Sequence, residues 1–136
     1  MWAIADTHAM RYLGVDYGRA RIGLAVSDPL GSFAFAHSVL KNSPDALATI
    51  TSLVQEKSIG MIVMGDTLAD DGAENTVTIQ AKAFADALKE KTGLPVEFVR
   101  EAWSSFEAAR YAPSSEKRDD AAAAIILQRY LDTRRT

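Results

Sequence analysis

The sequence predicts an α/β fold in which helices pack on a mixed β-sheet. Residues 11–40 hold successive runs of alternating apolar residues separated by turn signals, the mark of antiparallel strands. From Ser43 onward the apolar spacing turns helical and alternates with short apolar runs. No internal repeat or low-complexity linker interrupts this order, so hairpin strands followed by alternating helices and strands should share one sheet.

The elements follow from local chemistry. Residues 11–16 read as a strand ending at Gly18, and residues 21–27 alternate, with Ile22, Leu24 and Val26 on one face. Pro29 and Gly31 supply a turn before residues 31–40, where Phe33, Phe35, His37 and Val39 alternate, completing a three-strand meander. Ser43 and Pro44 suit a helix N-cap and first position, Asp45 suits the dipole of the first turn, and Leu47, Ile50 and Val54 follow at helical spacing. Gly60 should end that helix, and the all-apolar run at 61–64 should be a central strand covered on both faces, closed by Gly65. Val77, Phe84 and Leu88 lie on one stripe of a helix over 73–91, which Thr92, Gly93 and Pro95 stop. Residues 96–99 form a further strand, Ser104 and Glu107 a capping box for a short helix before Pro113, and Asp119 or Asp120 a cap for a last helix with Ala124, Leu127 and Leu131 on one face.

Composition bounds the function. A chain of 136 residues has the usual size of one domain, with 48% hydrophobic and 24% charged residues, and no apolar run approaches the roughly 20 residues that cross a bilayer. Residues 1–9 read as a flexible N-terminal extension without the features of an export signal, with Met10 as an alternative start, and residues 10–136 as a single domain. The absence of cysteine excludes disulfides, thiolate metal sites and cysteine nucleophiles and fits a reducing, cytoplasmic setting. A net charge of −3 gives no global attraction to nucleic acid, so such a partner needs local basic patches.

Acids stand where chemistry sits in an open α/β sheet. Asp16 follows the first strand, Glu101 the last strand, and Asp119 with Asp120 opens the last helix. Converging carboxylates stay ionised cheaply only if a cation joins them, and hard oxygen ligands suit Mg2+ or Mn2+. A metal pair about 4 Å apart would activate water and stabilise the leaving oxygen of a phosphodiester. Each acid also has a plain structural reading. Asp16 is a turn residue before Gly18, Glu101 a solvated residue after a strand, and Asp119 and Asp120 helix caps. Only for Asp16, at the end of a buried strand, do the residues themselves favour function.

Resemblance supplies the further argument. Gly14-Val15-Asp16-Tyr17-Gly18 followed by Arg21-Ile22-Gly23-Leu24-Ala25-Val26-Ser27-Asp28 resembles the opening of the YqgF (RuvX) family, named as candidate pre-16S rRNA nucleases of ribonuclease H-like fold with relatives among Holliday-junction resolvases. Residues 65–74, Gly93-Leu94-Pro95-Val96, residues 101–110 and residues 117–132 resemble the family's later segments in order. The resemblance implies a ribonuclease H-like mixed five-stranded sheet, a three-strand antiparallel meander plus two parallel strands. It implies Asp16, Glu101 and Asp119 as catalytic acids binding Mg2+ or Mn2+, with Asp120 as a second candidate ligand. It also implies Arg19, Arg21, Lys117 and Arg118 as nucleic-acid-binding cations, and Ser104 and Ser105 match the family's small hydroxyl pair. Arg100 and Ala102 depart from the family's aspartate and arginine around Glu101, and Asp66-Thr67 and Ala69-Asp70 from its loop after the fourth strand, a pattern that predicts weak turnover.

His8 and His37 are read as non-ligands, and Trp103, Phe33 and Phe35 as core residues before base-stacking ones. The expected activity is metal-dependent phosphodiester hydrolysis in 5′ processing of pre-16S rRNA. Expected partners are structured RNA or branched DNA and ribosomal precursor particles, with no membrane, for a monomer or homodimer. The alternatives are a Holliday-junction-resolvase-like DNA endonuclease and a catalytically weakened RNA- or ribosome-binding module. A kinase-like phosphotransferase is disfavoured, because one domain of this size cannot close a cleft around ATP.

Overall fold

A computed structural model describes residues 10–66, 76–100 and 115–134, the side chains of residues 66, 100 and 115–119 excepted. The order is β1 (Arg11–Tyr17), β2 (Arg21–Ser27), β3 (Ala34–Lys41), α1 (Ala46–Glu56), β4 (Ile59–Asp66), α2 (Thr76–Thr92), β5 (Val96–Arg100) and α3 (Ser115–Arg134). The five strands form one sheet in the order β3-β2-β1-β4-β5, antiparallel among the first three and parallel from β1 through β4 to β5. The mixed sheet expected from the sequence is therefore present. The expected short helix near Ser104, with Ser105 and Trp103, lies outside the described residues, as do His8 and residues 1–9.

Strand alternation divides the core into two layers. Leu13, Val15, Ile22, Leu24, Ile62 and Met64 face one way and bury against Ile50, Leu53 and Val54 of α1 and Ala81, Ala85 and Leu88 of α2. Tyr12, Ala25 and Val63 face the other way and bury against Ala123, Ile126, Leu127 and Leu131 of α3. The all-apolar character of β4 follows from having helices on both sides.

Close approach of α3 to β1 rests on Gly14. A Cβ there would lie 2.8 Å from Leu127 Cβ and 3.0 Å from the Ala123 carbonyl oxygen, so the helix can settle on the strand only where β1 lacks a side chain. Further along α3, Tyr130 packs against Tyr12 with ring centroids 6.0 Å apart, and the Arg134 guanidinium sits 5.5 Å from the Tyr130 ring centre and 6.0 Å from that of Tyr12. The Gln128 side chain ties α3 to the β2–β3 connection: its Oε1 accepts from the Ala34 N–H at 2.8 Å and its Nε2 donates to the Ser32 carbonyl at 3.2 Å. Asp28 closes that turn, its Oδ1 accepting from Ser32 N–H at 2.7 Å and Phe33 N–H at 2.8 Å.

Several expectations are corrected. Helix α1 begins at Ala46, because Ser43 and Pro44 form a turn in which the Ser43 carbonyl accepts from Ala46 N–H, leaving Asp45 at the N-cap without a side-chain cap bond. Its C-terminal reversal falls on Ser58 at φ 54°, and Gly60 is part of β4, where a Cβ would meet the Met10 side chain. Helix α3 begins at Ser115, so Asp119 and Asp120 lie within its early turns and do not cap it. Phe33 and Phe35 are 59% and 58% exposed, because β3 is an edge strand and no described element covers them.

Two outcomes follow. Gly14→Ala should destabilise the fold by about 1–3 kcal/mol, read as a lowered denaturant midpoint, because Leu127 Cβ and a backbone oxygen must both give way. The hydrogen bond from Phe33 N–H holds the Asp28 carboxyl below its usual 3.8; burial pushes it up, and bonds from Ser32 and Leu30 add to the lowering. A lowered value stabilises the folded state above the unfolded value and loses that contribution as pH falls through the folded one. Asp28→Asn should therefore cost up to about 1 kcal/mol at neutral pH, the gap to wild type narrowing in melts taken below pH 3.8.

Candidate active site

Asp16 is the penultimate residue of β1. Leu13, Val15 and Tyr17 face the α1 and α2 layer while Tyr12 and Gly14 lie under α3, so alternation turns Asp16 to the α3 side. Its partner across β2 is Gly23, and on β4 the residue after the Val15–Met64 pair is Gly65. Asp16 therefore has glycine beside it on both neighbouring strands and another two positions behind it on β1. It is half-buried.

The course of α3 sets what stands above that floor. Ala123 and Leu127 cross Gly14, and Tyr130 and Arg134 reach Tyr12, so the helix runs antiparallel to β1. One turn back from Ala123, a rise of about 5.4 Å against about 6.8 Å for two strand residues, brings the backbone of Asp119 and Asp120 level with Asp16. Asp120 is half-buried there. The side chains of Asp119, Lys117 and Arg118 lie outside the described residues, and so does Glu101.

Gly65 pairs with Val99 and Asp66 with Arg100, so β1, β4 and β5 end at one edge of the sheet, the edge at which open α/β folds bind ligands. β4 lies between β1 and β5, so the strand ends of Tyr17 and Arg100 stand two strand spacings apart, about 10 Å. Asp66, which the sequence marks only as a departure in a loop, is the last residue of β4, so its backbone stands at this edge between the ends of β1 and β5.

The cations are carried by the β1–β2 turn. Gly18 N–H donates to the Arg21 carbonyl at 2.9 Å, and a Cβ at Gly18 would stand 2.7 Å from that oxygen, so the tight turn requires glycine. Asn42 braces it from β3, donating its N–H to the Ala20 carbonyl at 2.9 Å and its Nδ2 to the Gly18 carbonyl at 2.8 Å. Arg19 is exposed at the tip. Arg21, two positions before Gly23, shares the face of Asp16 by alternation. Asn42 carries no motif signal, and its bracing role is not legible from the sequence.

Among the described residues no group of three or more His, Asp or Glu gathers to hold a metal ion, the expected set being completed only by Glu101 and the Asp119 side chain. The donor chemistry still fits a hard cation, since cysteine is absent, and among the described residues His37 is exposed on edge strand β3, away from the ends of β1, β4 and β5.

Comparison with known proteins identifies the family and the fold. Residues 10–133 match RuvX, a family described as Holliday junction resolvase. A candidate pre-16S rRNA nuclease of Anaeromyxobacter sp. (strain Fw109-5) is 42% identical, the match covering 92% of this chain and 98% of that protein. Another, from Koribacter versatilis, is 40% identical over 91% of this chain and 88% of its own length. Among solved structures, RuvC of Thermus thermophilus in complex with a Holliday junction substrate superposes with a TM-score of 0.61 at 16% identity, covering 93% of this chain and 96% of that one. At that identity the likeness establishes a common ribonuclease H-like fold.

Proposed function

Since the chain belongs to the RuvX family, we propose that it is a nuclease that hydrolyses phosphodiester bonds of structured RNA in the 5′ processing of precursor 16S rRNA. The observation that carries this reading is Asp16, half-buried on a glycine floor at the strand edge with the early turns of α3 level with it. Asp16, Glu101 and Asp119 are the catalytic acids in this reading, and with Asp120 they hold Mg2+ or Mn2+. Such a cation supplies Lewis acidity to the phosphate and lowers the pKa of attacking water. The chain's own part is positional: β1 fixes Asp16, α3 sets the backbone height of Asp119 and Asp120, and glycines on the neighbouring strands keep the sheet surface low beside Asp16. Arg19 and Arg21 hold flanking phosphates by charge-assisted hydrogen bonds, assisted by Lys117 and Arg118.

Relatives named for pre-16S rRNA favour RNA as the substrate; in this reading it is cut within ribosomal precursor particles in the cytoplasm. The family's description favours a second substrate, a branched DNA junction. A substrate panel separates them. Labelled 16S precursor, single-stranded RNA and a four-way DNA junction are incubated with and without Mn2+, and cleavage of the precursor above the junction is expected.

Asp16→Asn should abolish that cleavage. It should also melt at the same or higher temperature than wild type without metal, because one of several like charges is gone, and lose most of the stabilisation that wild type gains from millimolar Mn2+. A variant with the full Mn2+ shift would remove Asp16 from the metal site. Arg19→Glu with Arg21→Glu should weaken RNA binding and flatten its dependence on salt by about one log-log unit for each phosphate no longer neutralised. Unchanged affinity and salt slope would place the binding face elsewhere.

A further inference from the structure

Asp16 faces α3, but Tyr17, the next residue, faces the opposite layer. There it lines a shallow cleft of about 550 Å3 between the β1–β2 turn and α2. Its floor is aromatic: the Tyr17 and Phe84 rings lie 5.1 Å apart at 44°, both half-buried and each keeping solvent-exposed surface. Its rim is polar and cationic, with Arg19 on the turn, Asn42 bracing it and Gln80 on the exposed face of α2. Rings flanked by amides and a guanidinium are the chemistry that takes a nucleobase: a π-face for any base, amides for its edge and a cation for its phosphate.

Placement strengthens this. The cleft opens at the sheet edge where β1 ends, so a strand whose phosphate lies over Asp16 need only pass the turn tip at Arg19 to bring a neighbouring nucleotide to the other face. Arg19 then touches both segments. A base held in a duplex is stacked and cannot enter, so the cleft selects for an unpaired one.

We propose that the cleft between the β1–β2 turn and α2 is a subsite for one unpaired nucleotide flanking the cleavage position, stacked on Tyr17 and Phe84. This rests on the nuclease reading above and adds a preference for substrates with a single-stranded flank.

The probe is an RNA duplex with a short single-stranded overhang carrying 2-aminopurine, compared with the blunt duplex by fluorescence anisotropy in the full-length protein. Wild type should bind the overhang form about tenfold more tightly than the blunt one, with quenching of 2-aminopurine as it stacks. Ala83→Glu fills the rim with an anion at an exposed, helix-compatible position, and Gln80→Ala removes the edge contact; neither residue belongs to the catalytic acids or the phosphate-holding cations. Both should lower the overhang preference and the quenching, Ala83→Glu abolishing them, while Gln80→Ala, which changes no charge, leaves blunt-duplex affinity at the wild-type value. Retention of the wild-type preference by Ala83→Glu, or equal wild-type affinity for the two probes, would overturn the subsite and leave the nuclease reading standing. Failure of wild type to bind either probe would overturn both.

Discussion

A single missing side chain governs the arrangement. With Gly14 in the middle of β1, Leu127 and the Ala123 carbonyl come within 3.0 Å of where a Cβ would stand, and α3 lies directly on the central strand. A bulkier residue would lift the helix, and with it the Tyr12–Tyr130 contact and the height of Asp119 and Asp120 over the sheet edge. Packing and chemistry thus share one constraint, since the residue that lets the core close also sets the distance between acids on different elements. The other close approach, at Gly18, does the same for the cations: the turn is tight enough to carry Arg19 and Arg21 past Asp16 only because no Cβ meets the Arg21 carbonyl.

Much of this architecture is written in local patterns. The β2 boundaries, the alternation of β1 and the apolar run of β4 are period signals, which depend only on which face each side chain takes, and they match the observed elements. Mismatches arise where a residue's role depends on distant partners. Gly60 reads as a helix stop, but Ser58 takes the reversal, and Gly60 lies beside Met10. Asp119 and Asp120 read as caps because polar residues before an apolar run usually are; the helix continues back to Ser115 through residues whose own pattern gives no helical stripe. Phe33 and Phe35 alternate as a buried strand would, yet among the described residues α3 covers only the other face of β3, beside Ala34.

The candidate site is legible to a different degree. Asp16 stands out because an acid ending an apolar strand before a glycine is locally anomalous. The contribution of Gly23 and Gly65 to its surroundings emerges only from strand register, which places glycine on both sides of one carboxylate. Asp66 is hidden by the same logic, since its position at the shared edge depends on β4 lying between β1 and β5. Asn42 illustrates the limit, as its bonds to Gly18 and Ala20 reach across from the end of β3 and leave no trace in spacing.

The Gln128 tie carries an implication for how the chain acquires its structure. Its bonds to Ala34 and Ser32 span 94 and 96 positions, whereas Tyr12 N–H reaches the Ser27 hydroxyl across 15. The meander can therefore pair early from nearby contacts, but the face bearing Tyr12, Ala25 and Val63 stays uncovered until α3, the last described element, arrives. On a translating ribosome the nascent chain would hold half a core, with its central strand wet on one side. Folding to completion is then a late, long-range event, and the backbone of Asp119 and Asp120 comes level with Asp16 in that same closing step.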